Sequence, residues 1–343
     1  PMEGLPAWKA NVRAGDRILK VDGLHIKGWM LGKVVKLIRG PKNTKVVLTV
    51  EREGTPKPFD ISILRDRIAI KNVTSRMLPH HPGVGYVKVT GFIPQSARDL
   101  RDAIGQMQRR APGGRLKGLV LDLRRNSGGL LNRAIDIADM FLSKNRIVSV
   151  KSRTRIRSRG RSNPEEIHSA KSQRSDLKMP LVILVNDGSA SASEIVASAI
   201  QDNGRGLVLG LRTFGKASVQ TLFEPALHLD YYIKLTVARY YAPSGRTIQV
   251  TGVHPDRVIA PKSDGKVPVG FREENLINHL EPLEEPSLSP IATLLPKLDA
   301  CVAKTGRAHK VVNRETNPQI RPDFQLLRAA DYLTCLSEQR QRW

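Results

Sequence analysis

The stretch Leu181-Val182-Ile183-Leu184-Val185-Asn186-Asp187-Gly188-Ser189-Ala190-Ser191-Ala192-Ser193-Glu194 decides the fold class. Its first five residues are aliphatic without alternation, the pattern of a strand buried on both faces. Asn186-Asp187-Gly188 makes a turn, and the small residues after it open a helix over 192–201. A buried strand that feeds a helix through a tight turn is the repeating unit of an α/β core.

The same unit recurs through residues 67–260. Strands are expected at 84–89, 116–123, 205–209, 218–223 and 231–241, and further helices at 96–108 and 130–142. Residues 1–66 read differently, as a small β-rich unit. A strand at 17–21 runs into an Asp22-Gly23 turn. Met30, Val34, Leu37 and Ile38 keep a helical period until Gly40-Pro41 stops it, and strands follow at 45–52 and 59–64. Residues 261–343 read as an extension with a Pro-rich linker over 281–290 and a small helical segment over 324–336, without a catalytic signal.

The bulk numbers fit this division. A length of 343 residues exceeds one average domain, and 40% apolar residues supply a core. Aromatics are only 5%, so Val, Ile and Leu must do the packing. The net charge of +24 attracts polyanions but says nothing about fold. No aromatics interleave with the charge as a face for single-stranded nucleic acid requires. Much of the excess sits in 144–178, which holds eleven Lys/Arg against three Asp/Glu. Arg153, Arg155, Arg157, Arg159 and Arg161 alternate, so a strand there carries all five on one face. An exposed, solvated hairpin on an insertion accounts for the run, and polyanion binding is the competing reading. The two cysteines, Cys301 and Cys335, leave pairing and redox state open. No zinc spacing is present, no metal or organic cofactor is suggested, and no apolar stretch reaches the length of a membrane span. No signal-peptide pattern is visible, and the chain is expected to start inside a domain.

Two segments carry candidate chemistry. Ser191 sits where a strand turns into a helix among small residues. Small neighbours let a substrate carbonyl approach, and free amides at a helix start, Ala192 among them, can hold an oxyanion. Ser189, Ser191 and Ser193 read equally as capping and packing residues. Lys216 lies twenty-five residues on, in Thr213-Phe214-Gly215-Lys216-Ala217-Ser218-Val219, nearly free of other charge. A base needs the uncharged amine, and enclosure by such neighbours removes the solvation that holds its proton. A surface lysine in a loop is the alternative. Gln220, four residues later, reads either as the group that orients the amine or as a satisfied polar residue of a strand. Glu194 either helps organise the site or favours the helix N-terminus. Gly128 and Gly129, at the end of 121–130, allow close approach of backbone to a ligand and offer further amide donors. The phosphate-loop spacing is not met.

Taken in order, these segments resemble the carboxyl-terminal processing peptidases, also called tail-specific proteases. The resemblance rests on 14–23 and 46–52, Gly85-Tyr86-Val87-Lys88-Val89, 118–129, 188–195, Gly215-Lys216-Ala217-Ser218-Val219-Gln220 and Tyr241-Ala242-Pro243-Ser244-Gly245-Arg246-Thr247-Ile248-Gln249. It covers nearly the whole chain. Residues 1–66 are similar to the second half of a PDZ domain, with the half that carries the peptide-binding loop expected to be missing. The resemblance implies a serine endopeptidase with a crotonase/ClpP-like layered core, in which the PDZ domain gates access. It implies protein substrates with apolar C-termini, a homo-oligomer and a periplasmic or other extracytoplasmic location. It assigns Ser191 as nucleophile, Lys216 as general base, Gln220 as the residue that orients the lysine, and the amides of Gly128, Gly129 and Ala192 to the oxyanion region. Ser127 stands where Pro is usual and Ala217 where Gly is common, and neither removes a functional group. A catalytically silent PDZ-containing scaffold is the alternative function.

Overall fold

A computed structural model of the protein describes residues 1, 5–13, 15–67, 71–158, 161–172, 177–223, 233–277, 279–280, 290–305 and 323–340. The Pro-rich linker, except Pro290, and Arg159 lie outside the described residues, as do the side chains of Arg153, Arg155, Arg157 and Arg161. The chain forms two compact units, Pro1–Lys71 and Asn72–Trp343.

The first unit contains α1 (Pro6–Lys9), β1 (Arg17–Val21), β2 (Leu24–His25), α2 (Leu31–Ile38), β3 (Lys45–Glu51) and β4 (Phe59–Leu64). Its antiparallel sheet has the order β2-β1-β3-β4. Asp22 and Gly23 both take positive φ, 48° and 80°, which gives the two-residue turn that joins β1 to β2. Alternation along β3 buries Val46, Leu48 and Val50 against Val21, Val34, Ile61 and Ile63. Arg65 donates to the carbonyls of Leu37 and Ile38 at 2.9 and 2.8 Å, which satisfies the C-terminal end of α2.

The second unit is built on a six-stranded sheet of order β14-β11-β10-β7-β6-β5. Its strands are β5 (Val73–Met77), β6 (Val84–Val89), β7 (Gly118–Asp122), β10 (Leu181–Val185), β11 (Leu207–Gly210) and β14 (Arg257–Val258). All neighbours are parallel except β5 and β6. The helices are α3 (Ser96–Arg110), α4 (Leu131–Asp139), α5 (Ala192–Asp202), α6 (Leu295–Thr305) and α7 (Phe324–Arg340). A second, antiparallel sheet joins β12 (Ser218–Phe223), β13 (Ile233–Tyr241), β8 (Arg146–Ser158) and β9 (Arg161–Ser169). β8 and β9 pair as the hairpin expected from the basic segment.

The unbroken apolar runs of β7, β10 and β11 are explained by cover on both faces. Leu119, Leu121, Ile183, Val185 and Val208 join a core with α3, α4 and α5. The intervening Val120, Val182, Leu184, Leu207 and Leu209 join another with α6 and α7. Residues 290–305 and 323–340 are therefore part of the core and not an appendage to it. Cys301 on α6 and Cys335 on α7 form a disulfide, which closes the question that the sequence left open. β5, β14 and α6, like α1 and β2 of the first unit, were not anticipated. β5 and β14 are short edge strands, whereas Leu295, Leu298 and Val302 of α6 recur at helical spacing, a signal that was available in the sequence.

Candidate active site

Parallel β7, β10 and β11 all run in one direction, so the turns that leave their C-terminal ends meet along one edge of the sheet, where open α/β sheets bind ligands. The first turn carries Arg124 to Gly129, the second Asn186 to Ser191, and the third Leu211 to Lys216.

The second turn distinguishes its three serines. Ser189 is fully buried, and its hydroxyl donates to Leu123 O at 2.8 Å while accepting the Asn186 amide at 3.0 Å. Ser193 is also fully buried and donates to Asn126 O at 2.7 Å. Both hydroxyls hold the first turn against the second. Ser191 is half-buried, makes no capping hydrogen bond with its side chain, and has φ of 55° and ψ of −114°. A non-glycine residue at positive φ carries a backbone cost of about 1–3 kcal/mol, and such positions cluster at active sites.

Gly128 lies directly against this serine. A Cβ there would stand 2.8 Å from Ala190 O, 2.9 Å from Ser191 Cβ and 3.0 Å from Ala192 N. The Gly128 amide is already used: it donates to Asn126 Oδ1 at 2.9 Å. Asn126 also donates to Val89 O at 2.9 Å, so one buried side chain shapes the whole turn. The amides of Gly129 and Ala192 have no acceptor among the described residues.

Glu194 joins the second and third turns. It is fully buried on the first turn of α5. Its Oε2 accepts the Ser191 amide at 2.8 Å and the Lys216 amide at 2.9 Å. Its Oε1 accepts the Thr213 hydroxyl at 2.5 Å and the Gly215 amide at 2.7 Å. The backbones of Ser191 and Lys216 thus meet at a single oxygen atom. Burial pushes the Glu194 carboxyl up to about 7, against the four donors that pull it down. Gly215 has φ of 96° and presses on the Val250 backbone, which leaves no room for a side chain. Gln249 holds the next residue by accepting the Ala217 amide at 2.9 Å.

Lys216 is half-buried and lines a cleft of about 910 Å³ with Ser127, Ala190, Phe214, Phe271 and Asp323. Lys216 precedes β12, and the β12–β13 register breaks between Val219 and Gln220. Lys216 and Gln220 therefore do not share a regular strand face. Gln220 is exposed. Among the described residues no hydrogen bond links the Ser191 hydroxyl, the Lys216 amine and the Gln220 amide.

Asn126, Thr213 and the Arg124 cluster were missed in the sequence. Asn126 precedes Gly128 by two, the spacing at which an Asn side chain reaches a backbone amide, and that signal was available. Thr213 offers none. Arg124 donates to Asp122 at 3.0 and 2.7 Å, and Asp122 also accepts the Tyr86 hydroxyl at 2.8 Å.

Comparisons with known proteins show the family of the chain. The model described as peptidase family S41 matches residues 83–259, and that of a PDZ domain matches residues 1–52. A carboxy-terminal-processing protease of Bartonella bacilliformis is 38% identical over 330 residues, covering 94% of this chain and 73% of that protein. The carboxy-terminal processing protease CtpA of Bacillus subtilis is 36% identical over 255 residues, covering 74% of this chain. This chain spans about half the length of that relative, 51%. Among solved structures, a photosystem II D1 C-terminal processing protease is 33% identical with a TM-score of 0.50, covering 76% of this chain and 67% of that one. The chain belongs to peptidase family S41, with a PDZ domain preceding the peptidase core, among the C-terminal processing serine peptidases.

Proposed function

We propose that this protein is an endopeptidase that cleaves protein substrates near an apolar C-terminus by a Ser–Lys mechanism, with the PDZ domain gating access. The observation that carries the reading is the sharing of Glu194 Oε2 by the Ser191 and Lys216 amides, with Gly128 against Ser191 Cβ. Ser191 Oγ attacks the scissile carbonyl carbon and gives its proton to the Lys216 amine. The resulting oxyanion is held by the amides of Ala192 and Gly129. Gly128 contributes close approach, since its own amide is spent on Asn126. Lys216 returns the proton to the departing amine as the C–N bond breaks. Water then hydrolyses the acyl-enzyme, with Lys216 again as the base. Gln220 is the residue assigned to orient the amine, and catalytic hydrogen bonds of this kind often tighten only with substrate bound.

The test is digestion of an unstructured protein by wild type, Ser191→Ala and Lys216→Ala. Each variant is expected to lose at least about 10³-fold in kcat. Equal cleavage by all three ends the proposal.

The finer architecture belongs to the same proposal: a crotonase-like layering of the two sheets and their helices, and a homo-oligomer. An extracytoplasmic location is supported by the Cys301–Cys335 disulfide, since such bonds persist in oxidising compartments. No helix among the described residues is long and apolar enough to cross a membrane. Polyanion binding by Arg153 to Arg161 is a separate reading, tested by retention on heparin that falls with salt.

A further inference from the structure

The cleft beside Lys216 is walled in part by Asp323 and Gln325, which come from the segment where the sequence carries no catalytic signal. Their partner is Arg124, 199 residues earlier in the chain. Arg124 Nη1 donates to Asp323 Oδ1 and to Gln325 Oε1, both at 2.9 Å, and Nη2 donates to Asp323 Oδ2 at 2.6 Å. Asp122, fully buried, takes Nε and Nη2 from the other side. The guanidinium is thereby used on both edges and locked in one orientation. Burial works against the Asp323 carboxylate, yet Arg124 more than offsets it, and the group stays below its ordinary range.

Arg124 opens the turn that ends in Gly128 and Gly129. Beyond it, the turn is fixed by Asn126 and by the hydroxyls of Ser189 and Ser193. A shift at Arg124 is therefore felt at Gly128, which has no slack against Ser191 Cβ and Ala192 N. On the far side, Asp323 caps the start of α7, where it accepts the Leu326 amide at 3.1 Å. Helix α7 packs on β7 and β10 and is bonded covalently to α6 through Cys335. Its Tyr332 hydroxyl donates to Asp299 of α6 at 2.6 Å.

We propose that Asp323, with Gln325, is a positioning residue: it sets Arg124 and through it the Gly128–Gly129 turn, and the disulfide-anchored helix α7 delivers it to the site. The proposal rests on the peptidase reading and names a part of the site that lies outside the matched residues 83–259. Asp323 touches no reacting atom. Its effect is on the geometry in which the oxyanion is received, so it appears in kcat and not in KM. The bond between Cys301 and Cys335 opens when a dithiol passes two electrons to it, which leaves two protein thiols and an oxidised dithiol. Opening it loosens the mount of Asp323 without touching Ser191 or Lys216.

The experiment measures kcat and KM on one peptide substrate for full-length wild type, Asp323→Asn, Asp323→Ala and Asp323→Glu, with the melting temperature of each. Asp323→Asn retains the shape and one acceptor, so it keeps the measurement valid if Asp323→Ala does not fold. The expected result is a fall in kcat of about tenfold or more for Asn and Ala, with KM within about twofold and partial recovery in Glu. Dithiol treatment lowers the wild-type kcat in the same sense. It adds nothing in Asp323→Asn, because the two changes act through one contact. Wild-type kcat in folded Asp323→Asn, or a loss of kcat that merely tracks the melting temperature, overturns the proposal. Ser191→Ala run alongside separates the two failures. If its cleavage equals wild type, the peptidase reading falls. If cleavage depends on Ser191 and is indifferent to Asp323, only the positioning role falls.

Discussion

Glu194 is fully buried and accepts four donors from two chain segments, and its protonation state has a measurable consequence. Its folded pKa of about 7 lies above the unfolded value of 4.5. A raised folded value means that the folded state binds the proton more tightly than the unfolded one. The stability it contributes is full below pH 4.5 and is lost as pH rises through about 7. The size of this term is roughly 3 kcal/mol. Denaturant titrations from pH 4 to 8 are expected to show that decline in wild type and a flatter profile in Glu194→Gln. The glutamine brings an amide N–H toward groups that are themselves donors, so it is also expected to cost about 1–3 kcal/mol at neutral pH. At this scale the sequence was legible in residue type and not in role. Ser189, Ser191 and Ser193 are chemically alike in the sequence. Only the hydrogen bonds that consume the first and third single out Ser191. The two adjacent glycines likewise look equivalent until Asn126 is found holding the amide of one of them.

At the scale of elements, the buried strands were readable because β7 and β10 have no polar residue until Asp122 and Asn186, at or just past their ends. Helix α5 was readable from the small residues and Glu194 at its start. What covers the second face of the sheet was not readable, since the partners of β7 lie some 200 residues later and no local pattern encodes that distance. Gly118, for example, is small because Leu333 of α7 lies on it: a Cβ there would stand 2.7 Å from the Leu333 side chain. The α6–α7 pair gains from its cross-link. A bond between residues 34 apart removes about 3–4 kcal/mol of chain entropy from the unfolded state. Cys301→Ser/Cys335→Ser is expected to melt lower than wild type by a comparable free energy, read by thermal unfolding under non-reducing conditions. Equal melting temperatures would show that Tyr332, Asp299 and the apolar contacts alone hold the pair.

For the second unit as a whole, one sheet is buried by two helical layers, and the layers differ in origin. Helices α3, α4 and α5 interleave with the strands in sequence, whereas α6 and α7 follow after the last strand. Leu298 of α6 is fully buried in the same apolar cluster as Val182, Leu184, Leu207 and Leu209. Leu298→Ala is expected to cost about 2–5 kcal/mol in chemical denaturation. A cost under about 1 kcal/mol would mean that α6 is loosely held and that the sheet tolerates an open face. The order of the elements along the chain also fixes an order in time. During translation Ser191 and Lys216 emerge from the ribosome well before Asp323 and α7. On the proposals above, the nascent polypeptide therefore holds Ser191 near an Arg124 clamped by Asp122 alone, and proteolytic competence waits on a segment made after both. Under the proposed endopeptidase reading, such a delay keeps the enzyme from attacking its own unfinished chain.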